Sequence, residues 1–166
     1  GPCNGPKNNN FAVFSAATGA VVDVARLQRA PIAAAPEPGD SLLINPRHEN
    51  PMSLLRLELR DTFRFEPMAA LETRECSRAQ YTIRVLRLNR EELCVMRRDF
   101  YEQYAAVLHL YIAAKALGAS QSQLERKISV IARMSHPTVW HEMRRQRDHH
   151  PRLRALFTKA PEALDW

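Results

Sequence analysis

The fold of this chain is decided by the stretch NREELCVMRRDFYEQYAAVLHLYIAAKAL, residues 89–117. Apolar and aromatic residues recur in it at helical spacing, along a stripe of about seven turns. These residues are Leu93, Met96, Phe100, Tyr104, Val107, Tyr111 and Ala114. Asn89 is suited to cap such a helix, and Glu91 lies near its positive end. Gly118 is a natural stop. We therefore predict one long helix that buries this stripe and serves as the scaffold of a helical region.

The sequence on either side of residue 69 follows two different patterns. Residues 1–68 hold eight of the eleven prolines and four of the five glycines, which interrupt regular structure. Leu55, Leu57 and Leu59 alternate with polar residues, as in a half-buried strand. We predict strands at 11–14, 20–24 and 41–45, a turn at Thr18-Gly19, and a hairpin of 54–59 with 62–65. We predict further helices at 77–88, 138–148 and 152–158, and one that starts at Ser120 or Ser122, since each begins a capping-box pattern.

These patterns predict an α+β fold for the 166 residues. We expect a small strand- and loop-rich N-terminal lobe, 1–68, packed on a predominantly helical C-terminal lobe, 69–166, in one compact unit. No apolar run approaches the roughly 20 residues that a membrane span needs. The three cysteines, Cys3, Cys76 and Cys94, have no paired spacing, which is typical of free thiols in a reducing compartment. We therefore expect a cytoplasmic protein that does not bind membranes.

The net charge of +6 is concentrated near the C-terminus. Residues 120–159 carry nine basic and three acidic side chains, and the remaining 15 of each sign cancel. Such a concentration of positive charge attracts polyanions. We predict that nucleic-acid phosphates are bound, without sequence preference, by Arg144, Arg145, Arg147, Arg152 and Arg154. The alternative is a solvated helical face that aids solubility.

Three short motifs occur in order along the first hundred residues. The first is CNGPK at residues 3–7, with Phe11 following it. The second is LLINPRHENP at 42–51, and the third is TIRVLRLNREEL at 82–93, followed by Arg97 and Arg98. In kind and order these motifs resemble a bacterial branch of the HNH endonuclease family, some of whose members accompany retrons or other phage-defence systems. The resemblance covers roughly residues 3–100.

The resemblance implies roles for two residues of the first motif. Asn4 would help to hold a catalytic divalent ion, Mg²⁺ or Mn²⁺, at the end of a ββα-metal finger, and Lys7 would contact nucleic acid. In the family, the general-base histidine and an acidic ligand precede this motif, and cleavage requires both the base and the ion. The family also has a cation where this chain has Asn10. We therefore expect these 166 residues alone to be catalytically incomplete, with no catalytic residue among them and no metal bound.

A second candidate metal site consists of four histidines close together in sequence. They are His136, His141, His149 and His150. Imidazoles suit zinc, but no pair has the i, i+4 spacing that aligns two ligands on one helix. We interpret the histidines as part of a polar face that gains charge below about pH 6.5.

Two functions remain open from the sequence. The preferred one is the post-finger part of an HNH-family nuclease that binds nucleic acid, with DNA as the expected substrate and an ATPase or another defence-system protein as a possible partner. The alternative is a helical protein-interaction module that is not a nuclease. Five glycines in all do not provide a glycine-rich phosphate loop, and no Gly-x-Ser-x-Gly motif indicates a serine hydrolase.

Overall fold

Helices make up most of the structure, a computed structural model that describes residues 12–23 and 39–166. Within these ranges the strands are β1 (Ala12–Ser15), β2 (Val21–Asp23), β3 (Gly39–Ser41), β4 (Leu55–Leu57) and β5 (Phe65–Pro67). The helices are α1 (Thr73–Val85), α2 (Glu91–Ala116), α3 (Gln121–Arg133), α4 (Pro137–Arg145) and α5 (Pro151–Lys159). Short 3-10 turns occupy Pro51–Ser53, Arg147–His149 and Pro161–Asp165. The predicted α+β class, strand-rich first and helical afterwards, is confirmed.

The described chain divides into two compact units. The first covers residues 12–23, 39–56 and 64–90, and the second covers 57–63 and 91–166. The division therefore differs from the boundary that we predicted between residues 68 and 69. Helix α1 belongs with the strands because its buried side chains share their apolar clusters. One such cluster consists of Ala12, Phe14, Leu42, Tyr81 and Val85.

The first unit contains an antiparallel sheet in the order β2-β1-β3. The predicted turn at Thr18-Gly19 joins β1 to β2. Ser15 closes it, because its carbonyl accepts a hydrogen bond from Gly19 N and its N–H donates to Ala20 O, both at 2.8 Å. Gly19 has φ 68°, a backbone conformation that glycine adopts at little cost.

The strand predicted at 41–45 is misplaced. Strand β3 ends at Ser41, and the N–H of Ile44 donates to the hydroxyl of Thr82 on α1 at 3.0 Å. Asn45 then opens a turn, in which its N–H donates to Glu49 Oε1 at 2.9 Å. Ile44 is buried, as the apolar pattern indicated. Its backbone hydrogen bond, however, goes to a helix side chain instead of a neighbouring strand.

Helix α2 is the scaffold of the second unit, as predicted, and it contacts α3, α4 and α5. It ends at Ala116, and Gly118 follows with φ 73°. Helix α3 begins with the capping box of Ser120, whose N–H donates to Gln123 Oε1 at 2.9 Å. The side chain of Asn89 does not act mainly as the predicted helix cap. Its side-chain amide instead holds the backbone N–H and carbonyl of Phe65 in the first unit.

The buried face of α2 differs from the predicted stripe in the first half of the helix. Tyr104 is buried as predicted, but Phe100 is only half-buried and Met96 is 41% exposed. Their neighbours Tyr101 and Arg97 are buried instead. Arg97 is 6% exposed, and its guanidinium donates to the carbonyl of Phe63 at 3.2 Å. An arginine is expected at the surface, so the apolar pattern predicted the wrong buried face for the first half of α2.

Cys76 and Cys94 are free thiols, and Cys94 is buried. Cys3 lies outside the described residues. Among the helices of residues 12–23 and 39–166, none combines the length and the apolar character that crossing a bilayer requires.

Candidate functional site

Two of the predicted phosphate-binding arginines make contacts inside the second unit. Arg144 Nη1 donates to the carbonyl oxygens of Leu164 at 2.8 Å and Trp166 at 2.6 Å. Arg145 forms an ion pair with Glu142 on the same helix, with 2.6 Å between Nη2 and Oε1. The Glu142 side chain is fully buried. These two arginines therefore hold α4 and the C-terminal turn in place.

The other three predicted arginines lie around the start of α5. Arg147 pairs with Asp148 at 3.4 Å, and Arg154 donates to the Asp148 carbonyl. Arg152 forms a two-pronged ion pair with Glu102 on α2, with both hydrogen bonds at 2.7 Å. The hydrogen bond from Arg152 holds the pKa of the Glu102 carboxyl below its usual range. Arg152 also lines a cleft, which makes it the predicted residue with the clearest access to a ligand.

The four histidines of the second candidate metal site are not gathered together in the described part of the chain. Asn4, the predicted metal ligand, and Lys7, the predicted nucleic-acid contact, lie outside the described residues. The ring of His136 packs against Phe100 at 4.5 Å between centroids, while His150 lies near a different part of α2. Within residues 12–23 and 39–166, no group of three or more histidine, cysteine or acidic side chains is placed to hold a metal ion.

A polar cleft of about 370 Å³ opens in the second unit. It lies between the 58–63 loop, α2 and the start of α5. Its lining residues are Leu59, Arg60, Asp61, Phe63, Arg98, Tyr101, Glu102, His150 and Arg152. Because Arg60, Arg98 and Arg152 come from these three different elements, we call it the arginine cleft.

The 58–63 loop owes its shape to the carboxylate of Glu58. That carboxylate accepts hydrogen bonds from the backbone N–H groups of Arg60 at 2.5 Å, Asp61 at 3.0 Å and Thr62 at 2.7 Å. Phe63 then adopts φ 53°, which is uncommon for a bulky residue. The predicted two-residue hairpin turn at 60–61 is therefore wrong. Glu58 gathers the backbone into a longer loop, and β5 begins only at Phe65.

Helix α2 anchors this loop through two neighbouring arginines. Arg97 donates to the carbonyl of Phe63 at 3.2 Å, and Arg98 donates to the carbonyl of Asp61 at 3.0 Å. The Arg98 guanidinium also lies over the Phe63 ring, 5.5 Å from its centroid. These two hydrogen bonds fix the loop backbone at Asp61 and Phe63, next to Arg60.

The Glu58 carboxylate of this loop makes the stability of the protein depend on pH. Partial burial by itself raises the pKa of the Glu58 carboxyl, but the hydrogen bonds from Thr62, Arg60 and Asp61 outweigh it and lower the pKa from 4.5 to about 2. A carboxyl with a depressed pKa stabilises the folded state above its unfolded-state pKa, and this contribution is lost as the pH falls. We expect Glu58→Gln to be less stable than wild type at pH 7, with the gap closing between pH 4.5 and about 2.

Urea unfolding followed by circular dichroism across that pH range measures the gap. Glu75→Gln is the matched control, because Glu75 is exposed. A gap between wild type and Glu58→Gln that stays constant as the pH falls would contradict the proposed role of the carboxylate.

The arginine cleft keeps hydrogen-bond donors available for a ligand. A guanidinium has five N–H donors. Arg60 uses one of them on the His149 carbonyl at 2.7 Å, and Arg98 uses one on the Asp61 carbonyl. Arg152 spends two on Glu102. Each arginine therefore retains donors after its internal contacts are made.

Two buried polar atoms at the cleft are the hydroxyl oxygen of Tyr101 and Nδ1 of His150, whose rings lie 6.1 Å apart. Nδ1 of His150 has no hydrogen-bond partner among the described residues, while the Tyr101 side chain lies beside Arg152, whose guanidinium is 5.3 Å from the ring centroid. Burial raises the pKa of the Tyr101 hydroxyl, and the nearby positive charge of Arg152 partly opposes this. A neutral hydroxyl next to guanidinium groups is a donor for an anionic oxygen. The cleft therefore has the chemistry of a site for phosphate or carboxylate oxygens.

Sequence reasoning identified Arg152 but missed most of this site. Arg60 lies between the two segments predicted to form a hairpin, and Arg98 was noted only as a residue that follows the third motif. The contact that brings the loop to α5 joins Arg60 and His149, which are 89 residues apart. Patterns among neighbouring residues in the sequence do not reveal such a distant contact. Arg97-Arg98 gave no signal either, since two adjacent arginines can both lie on the wide polar face of an amphipathic helix.

Comparisons of the chain with protein-family models, with curated proteins and with solved structures found no match. The resemblance to HNH endonucleases therefore rests on the three sequence motifs alone.

Proposed function

We propose that the second unit is a nucleic-acid-binding module that grips a backbone phosphate in the arginine cleft. The observation that carries this proposal is the convergence of Arg60, Arg98 and Arg152, from three different elements, beside the buried polar atoms of Tyr101 and His150. Planar guanidinium groups present parallel donors that match the oxygens of a phosphate. Contacts of this type position the nucleic acid without reading its bases.

The surroundings of the cleft favour an anion over a cation. Its lining has three arginines against two carboxylates, and one of these, Glu102, is already paired with Arg152. An anionic oxygen is therefore the ligand that this lining favours.

The three sequence motifs suggest the kind of protein to which this module belongs. We propose that the module supports an HNH endonuclease, with DNA as its nucleic acid and defence against phage as its context. In that arrangement the module holds the DNA backbone, while cleavage belongs to the metal finger of the family.

The arginine cleft makes a specific prediction about salt dependence. Replacing Arg60 and Arg98 with glutamine is expected to weaken duplex DNA binding and to flatten the slope of log K against log salt by up to about 2, since each neutralised phosphate contributes about 0.9. The Arg60→Lys, Arg98→Lys pair keeps both charges, so it should retain the slope while losing part of the affinity. Fluorescence anisotropy of a labelled duplex over a salt series measures both quantities.

Arg90→Gln is the matched control, because Arg90 is exposed and lies in the first unit. Thermal melting of each variant shows whether the 58–63 loop has kept its fold. An unchanged salt slope in a folded Arg60→Gln, Arg98→Gln protein would rule out the arginine cleft as the phosphate site. Wild-type protein that binds no DNA even at low salt would refute nucleic-acid binding altogether.

A further inference from the structure

A second surface of the same unit, which shares no residue with the cleft, is an apolar groove between α2 and α3. It has a volume of about 740 Å³. Its apolar wall consists of Val107, Leu110, Ala114, Leu117, Ala119 and Val130. Three large side chains of this wall are open to solvent: Leu117 is 87% exposed, Leu110 is 59% exposed and Val130 is 42% exposed. We call this surface the α2–α3 groove.

The residues of α2 that line the groove form a continuous face with Leu117, which follows the helix end at Ala116. Positions 107, 110, 114 and 117 share this face because they are three or four residues apart, and of these Leu110 and Leu117 are exposed while Val107 and Ala114 are half-buried. The adjoining side of α2 is buried in the core at Leu108 and Tyr111. Helix α3 contributes little to that core, with Ile131 as its fully buried residue. Single exposed leucines are ordinary, but a contiguous apolar face marks an interaction site.

The charged residues of the groove have one sign. Arg126 and Lys127 line it, and its lining contains no acidic side chain. Neither side chain forms a hydrogen bond or an ion pair with another residue in the described ranges 12–23 and 39–166. A partner that buries this wall must therefore bring negative charge to its edge, since an unpaired buried cation is costly.

The dimensions of the groove match one short helix. The α2 face from 107 to 117 is about 15 Å long at 1.5 Å per residue. This accommodates about three turns of a docked helix, whose apolar residues at i, i+3 or i+4 and i+7 would fit between Leu110, Leu117 and Val130. A contact of this size is smaller than a standard interface of about 800 Å² per partner, and it is typical of a transient complex.

We propose that the α2–α3 groove docks an acidic amphipathic helix of a partner protein. The apolar face of that helix packs against Leu110, Leu117 and Val130, and its acidic flank pairs with Arg126 and Lys127. This interaction is independent of phosphate binding in the arginine cleft, because the two sites share no residue.

The experiment uses the full 166-residue chain and a displayed library of helical peptides of about 18 residues, or about five turns. Each peptide has leucine at i, i+3 or i+4 and i+7, and its remaining positions are randomised among Glu, Lys, Gln and Ala. Peptides selected on wild type are expected to be rich in glutamate. Their affinity, measured by fluorescence anisotropy, should fall by about tenfold or more in Leu110→Ser, Leu117→Ser, as for central apolar anchors of an interface.

Two further variants test the contribution of charge to peptide binding and the specificity of the site. Arg126→Gln, Lys127→Gln should weaken the selected peptides by about threefold to tenfold and reduce the salt dependence of binding. Val95→Ser is the matched control, because Val95 is an exposed apolar residue of α2, 44% exposed, that does not line the groove. It should bind like wild type. Since none of the substituted residues is buried, all variants should melt within a few degrees of wild type.

Three results would overturn the proposal. The first is a library that yields no peptide distinguishing wild type from Leu110→Ser, Leu117→Ser, and the second is selection of lysine-rich or uncharged peptides. The third is self-association of wild type in sedimentation that Leu110→Ser, Leu117→Ser abolishes, which would make a second copy of the chain the occupant. The Arg60→Gln, Arg98→Gln protein should bind the selected peptides like wild type, even where it no longer binds DNA. Either proposal can therefore fail without the other.

Discussion

Replacing Tyr104 with alanine is expected to lower the free energy of unfolding by about 3–5 kcal/mol, as for other buried aromatic side chains. Tyr104 is 1% exposed, and its ring stacks on Trp140 of α4 with 5.3 Å between centroids. Its hydroxyl donates to the carbonyl of Ser135 at 3.1 Å. Truncation leaves a cavity between α2 and α4 and removes the donor of this hydrogen bond. The loss is a large share of the roughly 5–15 kcal/mol that stabilises a typical domain.

Urea denaturation followed by circular dichroism measures this loss, and two variants separate its causes. Tyr104→Phe removes only the hydroxyl and should cost about 1 kcal/mol, the usual contribution of one hydrogen bond. Phe100→Ala should cost clearly less than Tyr104→Ala, because Phe100 is only half-buried. Equal losses for Phe100→Ala and Tyr104→Ala would show that the buried face of α2 is the one that its apolar pattern predicts.

Replacing Arg145 with methionine is expected to destabilise the second unit by about 3 kcal/mol, near the lower limit for breaking a buried ion pair. Arg145 is the partner of the fully buried Glu142, and its own side chain is 27% exposed. Without it, the Glu142 carboxylate keeps the side-chain amide of Gln146 as a hydrogen-bond donor, at 2.6 Å. That amide also donates to the carbonyl of Leu57 at 2.6 Å, so the change reaches the start of the 58–63 loop.

A double-mutant cycle tests this explanation. The Glu142→Leu, Arg145→Met protein buries no unpaired charge, and it should recover most of the stability that Arg145→Met loses. Chemical denaturation of the four proteins gives the coupling energy. If the double variant is as unstable as Arg145→Met alone, the loss comes from packing around the arginine stem and not from the orphaned carboxylate.

This ion pair changes how the predicted basic patch should be tested. Substituting Arg144, Arg145 and Arg147 together would remove three positive charges, but it would also break the contacts that hold α4 and the C-terminal turn. Weaker DNA binding by such a protein would then report unfolding as much as lost phosphate contacts. Arg60 and Arg98 offer a cleaner comparison, because each gives one hydrogen bond to a loop carbonyl.

The elements of the fold follow from local properties of the sequence. The long helix, its stop at Gly118 and the alternating burial of Leu55, Leu57 and Leu59 were all predicted, because helical and strand periods are set by neighbouring residues. The two strands of the predicted hairpin do pair, as β4 and β5, but the turn between them was predicted too short because a side chain competes with the backbone there. Glu58 captures three N–H groups, and this preference for its own backbone is not visible in the apolar pattern.

The candidate site shows the limit of sequence reasoning most clearly. The charge of residues 120–159 was counted correctly, but its partners lie elsewhere: Glu102 on α2 pairs with Arg152, and Leu164 and Trp166 accept from Arg144. A count of charges along the chain contains no information about which of them are paired in space. The same holds for Arg60, which reaches the cleft only through packing of the 58–63 loop.

The sequence by itself therefore determined the class of the fold, the position of the scaffold helix and the excess of positive charge, because each depends on composition or on residues within a few positions. Only the tertiary structure decided which face of α2 is buried, which arginines are consumed by internal pairs and which converge on a cleft. These outcomes depend on contacts between residues up to 89 positions apart. Their free energies come from burial and desolvation, which a residue acquires only when distant parts of the chain close around it.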